Sequence, residues 1–148
     1  MKVVVQRVKN ASVTIDGKLY SQIGQGFLVL FGADKGDTKS QADWLANKVS
    51  VLRCFEDENG KMNRSIKDVN GEMLIVSQFT LCADTKKGTR PSFDNAMNPQ
   101  DANMMYEYFM QKVEENEIPV KKGVFGADMQ VNLLNDGPVT FIIEAPIA

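Results

Sequence analysis

Two short stretches of the 148-residue chain hold groups suited to chemistry on an ester. The first is Ser77-Gln78-Phe79-Thr80-Leu81-Cys82-Ala83-Asp84, where an apolar run ends in consecutive polar residues. Ser77, Gln78 and Thr80 offer hydroxyl and amide groups, and a turning backbone offers N–H donors that can surround a developing oxyanion. The second is Asn135-Asp136-Gly137-Pro138-Val139-Thr140. Here Gly137 tolerates unusual backbone angles and Pro138 permits a cis bond. On residue types alone each stretch has a second reading. The first is equally a strand end whose polar groups satisfy neighbouring backbone, and the second an ordinary turn.

What the chain lacks narrows the chemistry. It contains no histidine, which removes the Ser-His-Asp and Cys-His arrangements and the commonest transition-metal ligand. Its two cysteines, Cys54 and Cys82, lie outside any CxxC spacing and read as packed thiols rather than a disulfide. A zinc site would need carboxylates alone, so neither metal nor cofactor is expected. Any hydrolysis must proceed without an imidazole base. The net charge of −2 argues against a general nucleic-acid binder such as a DNA-coating protein. It leaves room for a partner gripped by a local basic patch. Lys86, Lys87 and Arg90 form such a cluster, Lys121-Lys122 another, and each reads equally as solvated surface.

The elements that must position these residues follow from spacing. Met1–Val8 and Ala11–Ile15 are rich in valine and other β-branched residues. Asp16-Gly17 then predicts a hairpin into Lys18–Gln22. Gly26–Gly32, GFLVLFG, is a continuous apolar run bounded by glycines and predicts a buried strand. Thr38 with Gln41 makes a capping box, and Ala42, Leu45, Ala46, Val49 and Leu52 continue at helical spacing. Asn59-Gly60 and Asn70-Gly71 predict turns, and Met73–Phe79 another strand. Cys82–Asn98 reads as a long loop of the kind that tends to be functional. Asn98-Pro99 opens a second helix with the stripe Ala102, Met105, Tyr106, Phe109, Met110 and Val113. Val120–Phe125, Met129–Leu134 and Val139–Glu144 complete the strands. This order predicts a single α+β domain over 1–148, with mostly antiparallel strands and two helices.

No apolar run approaches the ~20 residues that span a bilayer. The N-terminal run meets Arg7 too early for a signal peptide, so a cytoplasmic protein without a membrane partner is expected.

Taken together, SQFTLCAD, Arg90-Pro91-Ser92-Phe93 and the NDGPVT run resemble the D-aminoacyl-tRNA deacylase family. The resemblance extends from the MKVVVQRV start through the Gly26–Gly32 strand to the C-terminal motif. It implies a compact β-barrel-like domain, paired as a two-fold homodimer with active sites at the subunit interface. The implied reaction hydrolyses D-aminoacyl-tRNA to free D-amino acid and tRNA, and also clears glycine from tRNA(Ala). Carried over, Ser77, Gln78, Phe79 and Thr80 line the site. Gly137-Pro138, in the cis form, reaches into the partner's pocket as a chiral filter, and Arg7 braces it. Ala102, Phe125 and Met129 match pocket positions or are simply core. Lys86, Lys87 and Arg90 would meet the tRNA acceptor end. Two mechanisms stay open: Thr80 as a nucleophile, or attack by water assisted by the tRNA 2′-OH. A non-catalytic RNA- or peptide-binding module, a hydrolase of free small-molecule esters and a relative editing L-alanyl-tRNA are the rival readings.

Overall fold

The computed structural model describes residues 1–146. Its strands are β1 (Lys2–Ile15), β2 (Lys18–Ile23), β3 (Gly26–Gly32), β4 (Phe55–Glu56), β5 (Met62–Arg64), β6 (Glu72–Ser77), β7 (Val120–Lys122) and β8 (Gln130–Glu144). Two helices, α1 (Lys39–Val51) and α2 (Pro99–Glu115), and a 3-10 turn at Phe79–Cys82 complete it. The main sheet runs β2-β1-β3-β6-β7, with β8 along the other edge of β1. Ser21 Oγ on β2 donates to the Lys122 carbonyl on β7 at 2.8 Å, tying the two ends of that order into a nearly closed barrel. The expected α+β fold with two helices is the one observed.

β1 pairs antiparallel with β2, β3 and β8, whereas β3–β6 and β6–β7 are parallel. The parallel steps follow from the connections, since α1 and α2 each carry the chain back across the sheet before the next strand. The buried strand expected from GFLVLFG is thus covered on both faces. Phe27, Val29 and Phe31 face the helices with Leu45, Val49, Phe109 and Val113. Leu28 faces the barrel interior with Val8, Ala11, Val13, Leu74 and Val76. Phe31 stacks on Phe109 at 4.9 Å, and truncating Phe109 to alanine should cost roughly 3–5 kcal/mol. At Gly26 an added Cβ would lie 1.8 Å from the Glu72 carbonyl oxygen, so only glycine lets β3 and β6 begin side by side.

Both helix starts follow the sequence. Thr38 N–H donates to Gln41 Oε1 at 2.7 Å, and Asn98 Oδ1 accepts from Asp101 N–H at 3.0 Å with Pro99 at the first helical position. Strand limits differ in four places. The two expected N-terminal strands are one, β1. Its buried positions change parity between Val8 and Ala11, where the register with β8 shifts. The expected strands Met129–Leu134 and Val139–Glu144 are likewise one, β8, and Val120–Phe125 stops at Lys122. Met73–Phe79 stops at Ser77, because the chain then coils into the 3-10 turn. Of the short β4–β5 hairpin only the Asn59-Gly60 turn was signalled, since its strands of two and three residues, with Phe55 alone buried, are too short to alternate.

Candidate active site

Ser77 ends β6 opposite Phe31 of β3. Gln78 leaves the ladder with its N–H donating to the Phe31 carbonyl at 2.7 Å. The following turn is closed by Leu81 N–H to Gln78 O at 3.1 Å and Ala83 N–H to Thr80 O at 3.2 Å. That leaves the Phe79 and Thr80 amide N–H groups with no acceptor among the described residues, as expected at the start of a helical turn. Phe79 and Thr80 are exposed, while Ser77 and Gln78 are half-buried. The Gln78 side-chain amide donates to Thr80 Oγ1. This is the only side-chain partner of the hydroxyl among the described residues, and an amide takes no proton. Cys82 anchors the turn, its buried thiol donating to the Ala33 carbonyl at 3.3 Å. Burial, helped by nearby Asp34, pushes that thiol up to about 12, so it is no thiolate at neutral pH.

Beyond the turn the chain forms a closed loop. Asp84 and Ser92 exchange two backbone hydrogen bonds, of 2.8 and 2.9 Å. Lys86, Lys87 and Arg90 lie on this loop, exposed and without an ion-pair partner among the described residues. The Phe93 ring returns to meet Phe79 edge-on at 5.0 Å.

The second stretch is not a turn between strands but a bulge within β8. Gln6 pairs with Thr140 and Val8 with Asn135, so the segment from Asn135 to Thr140 is held against three residues of β1. The surplus chain stands out from the sheet, with Gly137 and Pro138 exposed and their peptide bond cis. Two clamps fix it. Asn135 Oδ1 accepts from Val139 N–H at 2.9 Å, and Asn135 Nδ2 donates to Val139 O at 3.2 Å. Arg7, only 5% exposed, donates from Nε to the Asp136 carbonyl at 3.0 Å and from Nη1 to the Cys54 carbonyl at 2.7 Å. Asp136 and Glu56 carboxylates lie 3.6 and 3.8 Å from the same guanidinium. Burial pushes the Cys54 thiol up to about 11 against the opposing charge of Arg7.

Of the remaining expected residues, Phe125 and Met129 lie behind the end of β6. The Phe125 ring is 6.3 Å from Tyr106, whose hydroxyl donates to the Ile75 carbonyl at 2.5 Å. Met129 Sδ occupies the space a side chain on Gly123 would take, next to Val76. Ala102 stands one helical turn before Tyr106, on the same face of α2. A cleft of about 270 Å³ is lined by Tyr106, Gly123 and Phe125, among others.

Within one protomer the two stretches are far apart. Ser77 is level with Val3 of β1 through Phe31, and the bulge is level with Arg7. Four residues at ~3.3 Å each and three strand spacings of ~4.8 Å separate them by roughly 20 Å over the sheet.

The family model described as D-Tyr-tRNA(Tyr) deacylase matches residues 4–144. This chain belongs to that family. A protein named D-aminoacyl-tRNA deacylase from Geobacter sp. (strain M21) is 56% identical over 146 residues, covering 99% of this chain and 98% of its own. One of the same name from Geotalea daltonii is 57% identical, covering 99% and 97%. Among solved structures, one named c-Myc DNA Unwinding Element Binding Protein superposes with a TM-score of 0.93 at 44% identity, covering 99% of this chain and all of that one. A probable eukaryotic D-amino acid tRNA deacylase gives 0.80 at 17% identity over 97% and 98%, and shares the fold. In this deacylase-family chain, sequence reading passed over Asn135, Tyr106 and Phe93. The first was signalled by its place in the NDGPVT run, and the last by RPSF. The contact of Tyr106 beneath β6 had no signal beyond a helical stripe.

Proposed function

We propose that this protein is a carboxylic ester hydrolase that removes D-amino acids from tRNA. The observation that carries the reading is identity above half, over nearly the full chain, with proteins named D-aminoacyl-tRNA deacylase. Water attacks the ester carbonyl carbon, the acyl C–O bond breaks, and the proton passes to the departing ribose oxygen. The free N–H groups of Phe79 and Thr80 stabilise the oxyanion, a contribution of ~2.7–4 kcal/mol per donor in other hydrolases. Ser77 and Gln78 shape that end of the pocket. The tRNA 2′-OH orients or activates the water, since the Thr80 hydroxyl has no base beside it.

The Gly137–Pro138 bulge holds the α-ammonium on its carbonyls and leaves no space for an L side chain, an exclusion indifferent to side-chain identity. Glycine carries no side chain and passes, which extends the substrates to glycyl-tRNA(Ala). One amino acid cannot bridge roughly 20 Å of sheet, so the bulge serves the site of a second copy in a homodimer. The reaction needs no metal. The chain has no histidine, and among the described residues no three His, Cys, Asp or Glu side chains are grouped to hold an ion. No helix is long and apolar enough to cross a membrane, and the substrate places the work in the cytoplasm.

The 44% identical structure, named for binding a DNA unwinding element, favours a second reading: binding of DNA without turnover. The two separate on matched D-tyrosyl-tRNA and L-tyrosyl-tRNA in EDTA. Loss of the D ester alone is the expected result. Loss of neither ester returns the chain to a binding role, and preference for L-alanyl-tRNA would reverse the filter. Sedimentation as a monomer would remove the second copy from the site.

A further inference from the structure

Phe79 and Phe93 are 55% and 39% exposed although their rings touch. Two other solvent-facing rings, Trp44 and Tyr108, are covered by cations, whereas Tyr20, 47% exposed, has none among the described residues. Lys48 lies over Trp44 at 5.1 Å, and Lys39 and Lys112 lie over Tyr108 at 5.0 and 5.5 Å. No cation covers Phe79 or Phe93 among the described residues, although Lys86, Lys87 and Arg90 occupy the loop between them. An edge-on pair occupies at most one of its four ring faces, so flat faces remain open. The platform is held in place from both sides. Gln78 N–H is anchored on Phe31 O, Asp84 and Ser92 close the loop, and Ala96 N–H donates to Phe93 O at 3.0 Å.

Open aromatic faces beside unpaired cations on an ordered loop fit single-stranded nucleic acid, in which bases stack on rings while cations take the phosphates. Bases inside a duplex already stack on each other on both sides and are not free to lie on the rings. We propose that the Phe79–Phe93 pair is a stacking platform for an unpaired base at the 3′ end of the tRNA, with Lys86, Lys87 and Arg90 holding phosphates of the same strand. The proposal rests on the reading of this chain as a tRNA deacylase. It places the strand so that the terminal ribose arrives beside the Phe79 and Thr80 N–H groups.

The test uses the full protein, Phe93→Leu and Phe93→Trp, with Phe79 left intact. Uncharged tRNA carrying 2-aminopurine at one unpaired 3′ position at a time reports stacking by fluorescence quenching, and D-tyrosyl-tRNA reports turnover. Loss of one stacked base in Phe93→Leu should raise KM about tenfold, with kcat unchanged and quenching reduced at one position. Phe93→Trp should restore both. Unchanged KM and unchanged quenching in Phe93→Leu, with normal turnover, would overturn the platform alone. Separation of a dimer into single copies by Phe93→Leu would also overturn it, by making the pair a self-contact. Absence of hydrolysis by the unaltered protein would instead remove the deacylase reading, while position-specific quenching would still support the platform.

Discussion

In the proposed reaction the end of β6 and the bulge in β8 both offer main-chain groups to the substrate, but they are built in opposite ways. At Phe79 and Thr80 the backbone is left open: a strand stops, one helical turn starts, and two N–H groups have no acceptor among the described residues. At Gly137 and Pro138 the backbone is clamped, by a buried arginine on one side and an asparagine on the other. Donors for a charge that develops only in the transition state must be unspent, so an open turn suits them. A surface that works by excluding an L side chain must not yield, so it needs bracing from behind. The open region depends on local hydrogen-bond geometry and the braced one on long-range packing, and the two should respond differently to substitution.

The largest effect is expected at the brace. Arg7→Met leaves the Asp136 and Cys54 carbonyls without their charged donor. With hydrogen bonds to charged groups worth ~1.5–3 kcal/mol each, stability should drop by about 3 kcal/mol. The released bulge should also lower kcat/KM on the order of a hundredfold, since small misplacements of positioning groups have that effect. Urea unfolding and D-tyrosyl-tRNA kinetics read the two losses. Arg7→Lys should not rescue, because one ammonium cannot reproduce the guanidinium fork. Full activity in Arg7→Met would mean that the bulge holds itself.

Gly137→Ala strikes the bulge directly and leaves Arg7 in the chain, although the added Cβ would also come within 3.3 Å of Arg7 Nη2. Gly137 has φ of +137°, and an added Cβ would lie 2.6 Å from Val139 Cγ2 and 3.1 Å from Val139 N. The segment must shift, and kcat/KM for the D ester should fall about a hundredfold. The residue itself is exposed, so cooperative unfolding should persist. If the filter is this main chain, discrimination between D- and L-tyrosyl-tRNA should shrink as well. Unaltered discrimination would place the filter elsewhere.

The contrast also explains what was legible in the sequence. Local rules carried the helix starts at Thr38 and Asn98 and the buried strand at Gly26–Gly32. The open turn was only half visible. SQFT could be read as polar, but the stop at Ser77 depends on Gln78 being captured by Phe31 across a parallel pair. The braced region was less visible still. The bulge arises from a register shift between β1 and β8, and the Cys54 carbonyl lies 47 residues from Arg7. Neither leaves a periodic trace. The proposed roles came from the motifs in combination, while the separation of the two stretches by roughly 20 Å came only from strand register.

A smaller effect belongs to the loop beside the open turn. Lys86→Glu with Lys87→Glu removes two exposed cations that make no ion pair among the described residues. Stability should be unchanged. KM for D-tyrosyl-tRNA should rise about tenfold, and the slope of log affinity against log salt should shrink by about one to two. An unchanged KM would confine these lysines to solubility.

The smallest effect is expected at the residue that looks most like a nucleophile. Thr80 Oγ1 receives a hydrogen bond from the Gln78 amide, and no base among the described residues stands ready to take its proton. Thr80→Ala retains the Thr80 N–H and removes one neutral hydroxyl contact, worth about 1 kcal/mol, so turnover should stay within about fivefold. Loss of a nucleophile in other hydrolases costs about a millionfold, so the two mechanisms differ by orders of magnitude in one assay. Replacing the terminal 2′-OH of the tRNA with hydrogen sharpens the result. If the ribose hydroxyl orients water, that substrate should turn over far more slowly with the unaltered protein than D-tyrosyl-tRNA does with Thr80→Ala. The reverse order would make the open turn a covalent site after all. Its unspent N–H groups would then serve an acyl-enzyme rather than a bound water.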